Sequence, residues 1–178
     1  MYIYRVERFV IMGIEELSIK DLLLLEKLEG YNKLIEIGKT NFPDFYNELF
    51  CDYSSNEDIE SLKRAIFIQW YAVSEPFFNT GILELDQSYQ VANLFKVKNL
   101  LESNDIDLEF VAMLTHYYAI SDFHLDMVFD MQELLVQFNS NKKLINGTRE
   151  RGIMGDYWEK VLKNRNINMF DFEKFIRE

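Results

Sequence analysis

His116 and His124 are the only imidazoles in the chain, and Asp122, Asp126 and Asp130 stand close to them in sequence. Imidazole and carboxylate together can bind a metal or move a proton. Helical spacing argues against such a centre here. On one helix, residues two apart are separated by roughly 200°, so His124 and Asp126 point to nearly opposite sides. Asp122, Asp126, Asp130, Glu133 and Gln137 instead line one narrow face, with His124 on the other side between Met131 and Leu135. The acidic stripe reads as a solvated face. Its rival is a divalent-cation site on Asp126 and Asp130, one turn apart, because hard cations prefer carboxylate oxygens. No second helix supplies identifiable further ligands, so no metal or cofactor is assigned. His124, on an apolar face, reads as a hydrogen-bonded core histidine. His116 shares a face with Glu109 and reads as exposed.

Other catalytic patterns are missing. The chain has no phosphate-binding glycine loop, no dinucleotide fingerprint, no Gly-x-Ser-x-Gly and no His-Glu-x-x-His. Cys51, the only cysteine, has no basic residue beside it in sequence to lower its pKa. Glu26-x-x-Glu29 and Glu57-x-x-Glu60 resemble the paired acids with which helical nucleotide pyrophosphatases hold magnesium. The following helices offer no further pair to complete that pattern. No catalytic residue is assigned.

The segment from Trp70 to Asp86 has a different character. Glu75 precedes Pro76, Phe77 and Phe78 are adjacent in a connection between helices, and Glu84 follows. Aromatic side chains beside carboxylates can anchor a partner. Core packing is the competing reading, because Phe77 continues the apolar face through Ile59 and Trp70.

These residues must be positioned by helices. Only two Pro and seven Gly occur in 178 residues, too few for a chain built on tight β-turns. The expectation is an all-α, compact, single-domain multi-helix bundle of about seven to nine helices over residues 1–178. Residues 1–12 alternate in a way that suits a short strand or an extension preceding Met12. Ser18 caps a helix reaching Ile37, weakened at Gly30. A short helix follows Pro43, and Ser55 with Asp58 resembles a capping box. The strongest helix runs from about Asn56 to Glu75. It is apolar on more than one face, through Ile59, Leu62, Ile66, Trp70 and Val73 and through Phe67 and Tyr71, which predicts a central position. Asp86 caps a helix to Glu102, Asp105 and Asp107 open one through Tyr118, and Ser121 or Asp122 opens one to Phe138. Two short helices, Asp156 to Lys163 and Asn168 to Arg177, close a basic C-terminal subregion, 139–178. An echo links 101–108 with 162–169: in each a helix ends, an Ile follows, and Asp107 or Asn168 caps the next helix.

Charge is segregated. Between Asp44 and Glu133 there are seventeen acidic and four basic side chains; after Glu133, nine basic side chains face six acidic ones. The net charge of −11 attracts cationic partners and disfavours nucleic acid and anionic membranes. The C-terminal cations balance the acidic block internally or across a dimer. A lone cysteine makes a reducing compartment, the cytoplasm, the default, and no apolar run is long enough for a membrane span. Eight of the seventeen acids (Asp44, Glu57, Asp58, Asp86, Asp105, Asp107, Glu109 and Asp122) fall at predicted helix starts, where capping accounts for them.

The function favoured by sequence is an acidic cytoplasmic protein-binding module, of inhibitor or immunity type, that docks a basic partner. Its contact residues would be Asp126, Asp130 and Glu133, with Glu75, Glu84, Phe77 and Phe78. One alternative is a small metal- or nucleotide-dependent enzyme built from dispersed carboxylates with His116 and His124. The other is a non-catalytic helical scaffold or oligomer.

Overall fold

A computed structural model describes residues 17–29, 34, 41–75, 80, 82, 84–122, 124–138, 145 and 151–163. Among them are seven α-helices and no strand. They are α1 (Ile19–Glu29), α2 (Phe42–Asn56), α3 (Ile59–Ser74), α4 (Gln87–Glu102), α5 (Leu108–Ile120), α6 (Met131–Leu135) and α7 (Gly152–Lys163). A 3₁₀ turn, Leu125–Met127, lies between α5 and α6. The chain is all-α, as expected. Residues 1–12, Gly30, Phe77, Phe78 and the helix expected at 168–177 lie outside the described residues.

Side-chain caps set most of the helix starts. Ser18 Oγ accepts the Asp21 N–H while Asp21 accepts from the Ser18 N–H, a reciprocal box. Asn41 caps α2 with Pro43 in its first turn. Asp58, Asp86 and Asp107 cap α3, α4 and α5 through N–H groups of the first turn. Ser55 plays no such part. It is still in α2, whose C-cap Glu57 turns left-handed at φ 54° so that Asp58 can start α3 at once. At the other end of the chain α7 begins at Gly152, four residues before the expected start at Asp156.

Helix α3 is central. It packs against α2, α4, α5 and α7, and every residue from Ser61 to Trp70 is buried. Val73, expected on its apolar face, is instead exposed beyond the core. Hydrogen bonds orient the bundle. Tyr46 donates to Gln69 at 2.9 Å and accepts from Asn93 at 3.0 Å, tying α2, α3 and α4 together. Lys63 meets Glu109 while Trp70 Nε1 donates to the Tyr117 carbonyl, so α3 and α5 run parallel. The chain therefore alternates in direction from α2 to α5. The α2–α3 and α4–α5 turns share one end of the bundle. Glu75, Glu84, Ser121 and Asp122 belong to the other.

The helix expected from Ser121 or Asp122 to Phe138 is broken. Asp126 Oδ1 accepts the Met131 N–H at 3.0 Å and Oδ2 accepts the Tyr118 hydroxyl at 2.9 Å. An aspartate that takes a nearby backbone N–H competes with the helical ladder. Asp130 then caps α6 by accepting the Glu133 N–H at 3.0 Å. Asp126, Asp130 and Glu133 are exposed, but they do not form a stripe on one helix.

Candidate functional site

The two turns at the shared end face each other across an open groove of about 590 Å³. Ile59, Leu100 and Ile106 give it an apolar lining. Glu57 stands on the α2–α3 turn, and Asn104, Asp105 and Asp107 on the α4–α5 turn. Asn104 is left-handed, φ 56°, as α4 closes, which suits its residue type. Tyr53, one turn before the end of α2, completes the lining. Partial burial first, then the charges of Glu57 and Asp105, raise the Tyr53 phenol above its ordinary pKa.

These acids are not equally available. Asp107 caps α5 and pairs with Lys63 at 2.9 Å. Glu57 and Asp105 are exposed, and neither has a basic partner among the described residues. Helix dipoles add little, because each turn joins one helix C-terminus to the next helix's N-terminus. The field of the groove comes chiefly from its side chains. Lys96 is a nearby cation, 4.6 Å from the Tyr53 ring centroid and 4.1 Å from that of Phe50, with its ammonium donated to Ser54.

A part-buried ionic network adjoins the groove at Asp107. Arg151 donates to both carboxylate oxygens of Glu109, at 2.7 and 2.8 Å, and to Glu60 at 2.7 Å. Lys63 donates to Glu109 at 2.8 Å and so joins this network to Asp107. Burial works against the Arg151 charge, but the Glu109 and Glu60 carboxylates outweigh it and raise its pKa. Arg64 pairs with Glu26, and both are buried. The second Glu26 oxygen accepts the Ile153 N–H at 2.8 Å, at the start of α7. Arg151 thus balances the acidic block internally, one of the two roles expected of the C-terminal cations. Comparison of the chain with protein-family models, with curated proteins and with solved structures finds no match.

The paired-acid pattern does not form a magnesium face. Glu26 is bound to Arg64, Glu57 ends α2, and Glu60 begins α3 facing Arg151. Among the described residues no cluster of three or more His, Cys, Asp or Glu side chains could hold a metal ion. Nor is any helix of those residues long and apolar enough to cross a membrane.

The histidines part company. His116, expected to be exposed, is buried because α7 covers that side of α5. Its Nε2 lies 2.7 Å from the Tyr157 hydroxyl, and its ring packs 4.7 Å from Trp158. Trp70, Tyr117 and Phe67 continue that aromatic cluster. His124 is in the core, as expected, but its Nε2 has no hydrogen-bond partner among the described residues. Burial lowers its pKa to about 4. Cys51 is exposed and free, and the fold brings Lys20 and Lys96 into its electrostatic range, which sequence neighbours did not reveal.

Of the expected contact residues, Glu75 and Glu84 are exposed at the end opposite the groove, and Phe77 and Phe78 fall outside the described residues. The groove residues Tyr53, Glu57, Asp105 and Asp107 were missed as a site. Capping alone explained the last three, although a cap can still present charge to solvent. The usable signal was the near-equal length of four successive helices, which places alternate turns together.

Proposed function

We propose that this chain is an acidic protein-binding module of the inhibitor or immunity type, working in the cytoplasm, whose groove end docks a basic protein. The observation that carries the reading is the pair of exposed carboxylates, Glu57 and Asp105, without basic partners among the described residues and set around a groove that also exposes Ile59, Leu100 and Ile106. Charge of one sign in a cleft steers an oppositely charged partner and raises its association rate. Apolar lining gives the encounter something to bury once it forms.

The test uses an oligo-arginine peptide as a basic probe at increasing salt. Reversing Glu57 and Asp105 to Lys is compared with reversing Glu84 and Glu133 to Lys, which changes net charge equally outside the groove. Groove reversal should weaken binding about tenfold or more at low salt and flatten its salt dependence. Equal losses from the two double variants would mean that total charge, rather than this surface, captures the probe.

A further inference from the structure

We infer that the groove receives one arginine side chain displayed on the surface of the partner, with an apolar neighbour of that arginine resting on Leu108. This inference rests on the docking function just proposed and narrows it to one residue type.

Three observations select the guest. First, Glu57 and Asp105 stand on different turns, so a guest that satisfies both must offer donors in more than one direction. A guanidinium presents five N–H donors in a planar fork, whereas an ammonium is a compact, strongly hydrated point charge. Second, the lining offers apolar surface alongside its polar groups, through Ile59, Leu100 and Ile106. The methylene stem of an arginine can cover such a surface while its head reaches the acids. Third, Leu108 is 51% exposed at the first residue of α5, directly after the lining residue Asp107. An exposed leucine one residue beyond the groove lining can supply apolar contact to the residue next to the guest.

Charge balance limits the occupant to one cation. Asp107 is already committed to Lys63. Lys96 stands over the Tyr53 ring, anchored to Ser54, and repels a second positive group. The remaining pair, Glu57 and Asp105, suits a single side chain better than a basic run.

The experiment titrates the full chain with the blocked tripeptide acetyl-Gly-Arg-Leu-amide and follows backbone amide resonances. Companion titrations replace the arginine by lysine or by citrulline, its neutral isostere, and a further one uses spermidine. The arginine peptide should shift amides of residues 53–59 and 100–108. It should bind about tenfold more tightly than the citrulline peptide and a few-fold more tightly than the lysine peptide. Glu57→Gln and Asp105→Asn should each weaken it several-fold with unchanged thermal melting, and Glu133→Gln should leave it unaltered. Equal binding of the citrulline peptide, shifts confined to other residues, or full affinity in Asp105→Asn would overturn the site. Tighter binding of spermidine than of the arginine peptide would make the occupant a free polyamine and overturn it too. Loss of oligo-arginine capture in the Glu57→Lys, Asp105→Lys variant, with no tripeptide binding to wild type, would sink this inference while leaving the docking function standing.

Discussion

Replacing Glu26 by Leu should be among the most damaging single changes in the protein. The Glu26 and Arg64 side chains are only 2% and 4% exposed, so neither charge has water to fall back on. Removing one partner of a buried ion pair costs about 3–5 kcal/mol, because the other is left uncompensated. The Ile153 N–H would also lose its acceptor, and an unsatisfied buried donor adds about 1–3 kcal/mol. A total near 5 kcal/mol is a large share of the roughly 5–15 kcal/mol that stabilises a domain. Changing both residues, Glu26→Leu with Arg64→Met, removes the stranded charge, since apolar replacement of a buried pair is often nearly neutral. Only the Ile153 penalty should then remain, so the double variant should recover about 3 kcal/mol relative to Glu26→Leu. Urea unfolding followed by fluorescence suits the measurement because Trp70 and Trp158 are both buried. A shifted midpoint with an unchanged slope reads as stability. A loss below about 1 kcal/mol for Glu26→Leu, or a double variant as unstable as the sum of the singles, would refute the reasoning.

Two further outcomes follow from the same core. Gly152 has φ +61°, and a Cβ there would come within 2.3 Å of the Glu26 carboxylate, which Arg64 and the Ile153 N–H hold in place. Gly152→Ala should therefore cost more than the roughly 1–2 kcal/mol of a left-handed residue alone, and a thermal midpoint within a degree or so of wild type would contradict this. His124 carries a pH dependence with a definite sign. Its folded pKa is lowered from 6.5 to about 4, so an unfolded chain takes up the proton first. Its contribution is complete above pH 6.5 and is lost as pH falls towards 4, by about 3 kcal/mol in all. Wild type minus His124→Leu, compared by urea unfolding across that range, should show this slope; parallel stability curves would exclude it.

What the sequence made readable was local. Ser18, Asp86 and Asp107 announce helix starts because a cap acts over two or three residues. The central position of α3 was readable because Trp70, Phe67 and Ile66 leave it no wholly polar side. The failures were long-range. Arg151 reaches Glu60 across 91 residues and Glu26 reaches Ile153 across 127, distances over which no periodicity operates. His116 read as exposed because nothing in α5 itself foretells that Tyr157 and Trp158 will cover it. Asp126 read as one point on a continuous helix, whereas its side chain takes the Met131 N–H and ends the ladder. The groove lay between these cases. Each acid was correctly placed at a helix boundary, but counting caps as neutral hid the surface that two adjacent turns create.

The docking claim is tested most directly by its footprint. Backbone amide exchange would be measured residue by residue, with and without the oligo-arginine peptide. The groove account predicts slowed exchange at residues 53–60 and 100–109, with 121–136 unchanged. Protection centred on Asp126, Asp130 and Glu133, or spread evenly over the acidic surface, would contradict it.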